Sequence, residues 1–221
     1  MKFMKEEYVV MGFIVLAFLV GLYFYPIVPQ EIPTHWNVAG QADNYSSKAF
    51  GLFFLPILIA GFYAIFTYLP FIAVYRQNLV KFSKHYFRFK TAFVGFLIAL
   101  YIASIVQIFK PFPMNYFILP CLSLLFVFTS YLLKHSKRNF FIGFRTPWAL
   151  SSDTVWKKTN AAAAKFFMAY AVIILFGLLS KKLAIYFLLV PLLGILYLFR
   201  YSYKEFSKEY PKGLNGKNIN P

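Results

Sequence analysis

The sequence predicts an all-α polytopic membrane protein with six transmembrane helices and both termini in the cytoplasm. Three observations lead there. The 221 residues are 60% hydrophobic and only 14% charged, against roughly 45–50% and about 25% in soluble chains. The apolar residues come as long spans rather than in alternating patterns. The basic residues fall at the ends of those spans, where they anchor membrane proteins.

Taken in order, Met1–Glu7 is a short charged start, and Tyr8–Tyr25 is the first apolar run, about long enough to cross a bilayer with its flanks. A cleaved signal would need a shorter core and a small-residue cleavage site, so this run reads as a retained helix. Pro26, Pro29 and Pro33 end it, since successive prolines cannot continue the amide ladder. The polar stretch Ile32–Lys48 follows, with a turn at Ala39–Gly40 and a helix cap at Ser46–Ser47. Phe50–Ile72 is the second span despite Pro56 and Pro70, because neighbouring groups satisfy freed carbonyls in membrane helices. A basic loop carries Arg76, Lys81, Lys84, His85, Arg88 and Lys90. Thr91–Phe109 and Tyr116–Leu133 are the third and fourth spans, joined by a Pro-rich hairpin at Lys110–Asn115. The polar segment Arg138–Thr159 leads through Ala161–Ala164 into a fifth span ending near Ser180. Lys181–Lys182 marks a short turn before the sixth, Leu183–Phe199. The organisation is thus a three-span half (1–109), a second three-span half (110–199) and a basic tail (200–221), helical at first and disordered past Pro211.

Six spans put both termini on one side of the membrane. Of the 23 lysines and arginines, nineteen share the side of Met1 and four, Lys48, Lys110, Lys181 and Lys182, lie opposite. The excess places both termini and Arg138–Thr159 in the cytoplasm, and Ile32–Lys48 outside. The net charge of +16 therefore reflects membrane anchoring, and no direct nucleic-acid partner is expected. Cys121, the only cysteine, lies in an apolar run and reads as packing.

The two polar segments carry what chemistry there is. In Arg138–Thr159, Gly143 permits a tight turn and Pro147 pushes Thr146 towards an extended conformation. Ser151–Ser152–Asp153 offers oxygens to the amides of a helix start, Arg145 and Asp153 bracket the turn for an ion pair, and Trp148 and Trp156 suit a membrane surface. A well-capped return into the membrane explains the same features. The outer segment holds Glu31, His35 and Asp43, whose spacing matches no helical metal motif. Either they ligate a metal, or Asp43 caps a turn while His35 bonds a backbone carbonyl. No nucleophile sits beside a base and no Gly-rich phosphate cradle is present, so no catalytic residue and no cofactor is expected. Ionisable residues are almost absent from the spans, against ion-coupled transport, and Gln107 and Asn115 are the main amides near the membrane, close to its outer side.

The outer pattern P-x-H-W-N-x-x-G-x-x-D-x-x-x-S-K (Pro33–Lys48) resembles the extracytoplasmic signature of the SdpI family, whose members carry an associated N-terminal domain of unknown function. The inner pattern R-N-x-x-x-G-x-R-T-P-W-x-L-S-S-x-x-V-W-x-K-T (Arg138–Thr159) is similar to that family's cytoplasmic signature. The resemblance covers roughly residues 20 to 165; the last spans agree only in hydrophobicity. It departs at Ala149, where the family usually has Thr, and at Asn160–Ala161, where it usually has His-Arg. It implies an immunity and signalling protein embedded in lipid, not an enzyme. Such a protein recognises a secreted membrane-active toxin peptide and sequesters a cytoplasmic transcriptional repressor. Toxin contact would then fall to His35, Trp36, Asn37, Gly40, Asp43 and Tyr45, with Asp43 attracting a basic peptide group. Signalling would fall to Arg138, Asn139, Gly143, Arg145, Thr146, Pro147, Trp148, Ser152, Asp153, Trp156 and Lys158. Two other classes remain open here: an intramembrane or metal-dependent enzyme using His35 and Asp43, and a small-molecule exporter. The halves also suggest an inverted repeat, each with its polar motif after its first span.

Overall fold

In the computed structural model the described residues are 5–73, 76–179 and 186–211. Helices dominate: α1 (Lys5–Phe24), α2 (Lys48–Ile72), α3 (Arg76–Lys81), α4 (Ser83–Phe109), α5 (Asn115–His135), α6 (Pro147–Ser151), α7 (Asp153–Leu175, extended by one 3-10 turn) and α8 (Tyr186–Glu209). Among the described residues, five segments are long and apolar enough to cross a membrane: Glu7–Phe24, Lys48–Ile72, Ser83–Phe109, Asn115–His135 and Asp153–Leu178. The protein is a multi-pass membrane protein. Lys181–Lys182 and the start of the expected sixth span lie outside the described residues, as does the tail beyond Pro211; α8 covers the rest of that span and the tail up to Glu209.

One element departs from the all-helical expectation. Glu31–Trp36 (β1) and Ala42–Ser47 (β2) form an antiparallel hairpin between α1 and α2. Pro33 withholds an amide, which β1 tolerates because a two-stranded sheet has only edges. The basic loop is also more ordered than expected. Leu79, Phe82 and Tyr86 recur at helical spacing and are nearly fully buried, so the segment folds as α3 and the first turns of α4.

The helices α1, α2 and α4 share a core in which Val10, Ile14, Ile59, Tyr63, Val94 and Leu97 meet. α5 packs most extensively on α7, where buried Ala163 and Ala164 let the backbones approach. Serine hydroxyls reinforce that seam: Ser123 donates to the Ala171 carbonyl at 2.6 Å and Ser130 to that of Ala164 at 2.7 Å. Large apolar side chains such as Phe13, Leu19, Ile57, Leu124, Val172 and Leu196 point outward, as lipid-facing surfaces require.

Glu7 and Lys90, expected in the charged start and the basic loop, lie instead within α1 and α4 and form a buried ion pair. Their atoms lie 2.5 Å apart, with side chains only 3% and 8% exposed. Lys90 also donates to Thr67 at 3.3 Å and sits over the rings of Tyr63 and Phe87.

Contacts between loops sort the polar segments to two ends. The hairpin meets the α4–α5 connection, where the Met114 amide donates to the Gly40 carbonyl at 2.9 Å. At the other end Asn78 of α3 donates to the Arg138 carbonyl at 2.8 Å, and Ser152 donates to Glu209 of α8.

Candidate functional site

The hairpin end is built by local rules. The Asn37 side chain accepts from the amides of Ala39 (2.9 Å) and Gln41 (3.2 Å), closing the turn. Gly40 follows at φ +74°, and a Cβ there would stand 2.5 Å from the Asn115 side chain and 2.6 Å from the Met114 amide. Asn37 and Gly40 are therefore the scaffold of the loop. Trp36 donates from Nε1 to Gln107 Oε1 at 2.7 Å, and Gln107 donates on to the Phe112 carbonyl at 3.3 Å. That chain locks the hairpin to the end of α4. His35 bonds the Asp43 carboxylate at 2.6 Å rather than a backbone carbonyl, with both side chains largely exposed. Asp43 is thus a partnered carboxylate, not a free charge. Glu31 does not join them, and among the described residues no three His, Cys, Asp or Glu groups converge on a metal position. Tyr45 is 53% exposed. It borders an open cavity of about 380 Å³ between the hairpin and the α4–α5 connection, lined also by Pro33, Gly40, Gln107, Phe112 and Pro113.

The opposite end folds around Asn139, which is fully buried and uses its whole amide. It donates to the carbonyls of Lys137 (2.7 Å) and Ile142 (2.9 Å) and accepts from the amides of Phe141 (2.8 Å) and Ile142 (2.7 Å). Gly143, at φ +131°, passes against the Trp156 ring, and a Cβ would lie 2.7 Å from it. Thr146 is extended and caps α6, and Pro147 occupies that helix's first turn. Ser152 caps α7, accepting from Thr154 and Val155 while donating to Glu209 at 2.8 Å.

Three expectations are corrected here. Asp153 pairs with Arg138 at 2.8 Å, not with Arg145, whose guanidinium donates to the Phe140 carbonyl. Trp156 does not present its ring at the protein's surface; it is 2% exposed and donates to the Ser136 carbonyl at 3.2 Å. The tail is part of the site. Lys158 bonds Glu205 of α8 at 2.7 Å, Thr146 bonds Ser202, and Trp148 packs edge-on against Phe199 and Tyr203. Ser202, Glu205 and Glu209 were not legible as site residues, because their partners lie 47 to 57 positions away. Lys158 and then Lys208 hold the Glu205 carboxyl below the usual carboxylate range.

Residues 12–60, from α1 through the hairpin into α2, match the domain of unknown function DUF1648, and residues 135–203 match the SdpI/YfhL protein family. From the second polar segment through the helices that follow it, the chain is similar to the SdpI/YfhL family. Both polar segments fall inside matched regions, and the family match runs to residue 203, well beyond the motif and across most of α8. The chain is 27% identical to "Immunity protein SdpI" of Bacillus subtilis (strain 168) over 217 residues, spanning 96% of this chain and 99% of that protein. It is 35% identical to the "Uncharacterized membrane protein YbgB" of the same organism over 54 residues, 24% of this chain and 59% of that one. No solved structure matches. The two departures from the SdpI signature are interior: Ala149 is fully buried, and Asn160 accepts from the Phe144 amide at 2.8 Å.

Proposed function

We propose that this protein is a membrane immunity protein that receives a secreted, membrane-active peptide at its hairpin end. The observation that carries this reading is the end-to-end similarity to a protein named as an immunity protein. The hairpin cavity supplies a place for the peptide: partly apolar, open, and bordered by exposed Tyr45 beside the His35–Asp43 pair. The proposed topology has six crossings, with α8 as the sixth, the halves 1–109 and 110–199, and both termini in the cytoplasm. The nineteen-to-four distribution of lysine and arginine supports that orientation. The grouping of α3, Arg138–Thr159 and the tail at one end agrees with it.

In this reading the cytoplasmic end carries any signal. The tail helix rests on Arg138–Thr159 through Ser152–Glu209, Lys158–Glu205 and the edge-on contact of Trp148 with Tyr203. Those contacts form the interface that peptide binding would bias, with Arg145 and Lys157 exposed towards a cytoplasmic repressor. The reading assigns no reaction to the protein.

The test is survival. The chain is expressed in a sensitive host, which is challenged with secreted membrane-active peptides. Tyr45→Ala and Asp43→Asn should remove protection while the folded protein in detergent extracts stays near normal. Full protection by both variants, or no protection by the unaltered chain, overturns the proposal.

A further inference from the structure

A groove between α4 and α5 at the Arg138 end of the bundle has the make-up of a lipid seat. Its mouth is a cavity of about 550 Å³ bordered by Arg88, Tyr131, Lys134, Val127, Phe128 and Met168. A second cavity of about 230 Å³ shares Phe128 and continues along the same two helices past Gly95, Ala99, Cys121 and Leu124. From Lys134 to Leu124 is ten residues, about 15 Å of helix, so the groove runs from charged groups deep into apolar surface. Gly95 forms an open stretch of its wall, since a Cβ there meets no atom within 4 Å.

The charge at the mouth has no ion-pair counterpart among the described residues. Arg88 is held over the opening by its bond to the Tyr131 hydroxyl at 3.1 Å and by its position above that ring. Neither Arg88 nor Lys134 forms an ion pair among the described residues. Four acids among the described residues are engaged elsewhere: Glu7 by Lys90, Asp153 by Arg138, Glu205 by Lys158 and Lys208, and Glu209 by Ser152.

We propose that this groove binds one anionic phospholipid, its phosphate between Arg88 and Lys134 and an acyl chain along α4–α5 past Gly95. Charge complementarity at the mouth and a continuous apolar floor call for an occupant with both parts. Guanidinium and ammonium donors suit a phosphate oxygen, and juxtamembrane cations favour anionic headgroups. The site is separate from the hairpin cavity and stands whether or not that cavity takes a peptide.

Native mass spectrometry of the full chain titrated with phosphatidylglycerol or phosphatidylcholine tests this. One phosphatidylglycerol should be retained in preference to phosphatidylcholine. Arg88→Gln and Lys134→Gln should each weaken it roughly fivefold, and Gly95→Phe, which fills the groove without touching the cations, should displace it. Lys137→Gln, the same charge change at an exposed residue outside the groove, should leave it unchanged. Equal retention of the two lipids, a Lys137→Gln loss as large as that of Lys134→Gln, or undiminished binding in Gly95→Phe each overturns the assignment. The two outward-facing charge variants and the groove-filling variant act on different parts of the site, so a folding defect in one leaves the others decisive.

Discussion

Replacing Lys90 with methionine should destabilise this protein far more than any other single lysine substitution. The ammonium lies 2.5 Å from the Glu7 carboxylate, and the two side chains are 3% and 8% exposed. Water therefore does little to screen the pair or to replace a missing partner. Breaking a buried ion pair from one side leaves an uncompensated charge and typically costs about 3–5 kcal/mol, whereas replacing both partners with well-packed neutral groups is often neutral. Methionine keeps most of the lysine stem's volume against Tyr63 and Phe87, so the packing change is small and the charge dominates. For a chain of this size each kcal/mol moves the midpoint by roughly 2–4 °C, giving a drop of about 6–20 °C. Thermal unfolding in one fixed detergent measures it. Glu7→Gln should fall similarly, and the Glu7→Gln/Lys90→Met double variant should return to within about 4 °C of the unaltered chain. A single-variant loss below about 2 °C, or a double variant that loses the sum of the two, would refute a dry, mutually dependent pair.

Topology is checked by cysteine labelling in a Cys121→Ala background: Ala39→Cys in the hairpin turn and Ser151→Cys beside the α7 cap should label from opposite faces of the membrane, and labelling from one face removes the orientation. The tail contact should depend on acid. Glu205 has a folded-state pKa held below its unfolded value near ~4.3, so its contribution is fully present above that value and is lost as the pH falls through the lowered one. Fluorescence of Trp148, which packs edge-on against Tyr203 of the tail helix, should change over that acid range and become flat in Glu205→Gln; an unchanged profile in the variant rejects the link.

The spans were legible because each is a continuous apolar run closed by proline, serine or a basic cluster. Hydropathy alone places α1, α2, α5 and α7 to within a few residues at their apolar ends. The hairpin was not legible. Pro33 inside β1, the exposed polar strand Ala42–Ser47 and the bulges near His35 erase the alternation that marks a strand. Its stability comes instead from docking, with Ile32 buried under α2 and Trp36 tied to Gln107. The α3 region was hidden for the opposite reason. Its lysines and arginines suggest a solvated loop, while Leu79, Phe82 and Tyr86 between them make a buried face.

The site residues divide along the same line, and the division narrows where recognition can occur. Glycines, caps and the turn asparagine announce themselves by conformational rules, and the structure finds them holding backbone: Asn37 and Gly40 at one end, Asn139, Gly143, Thr146 and Ser152 at the other. Tryptophans announce themselves as interfacial, yet Trp36 and Trp156 both spend their indole N–H groups on distant acceptors. A substitution at any of these positions removes architecture first and contact second. Displayed at the hairpin end are Val38, Tyr45 and the His35–Asp43 pair, together with Glu31, Gln41, Asn44 and Ser47. At the other end Arg145 and Lys157 are among the exposed side chains. A long polar signature in a membrane loop thus largely specifies how the loop is built. On the proposed reading, partner-facing chemistry rests on exposed side chains whose identities the folding rules leave free, so variation there would change what is bound without disturbing the frame.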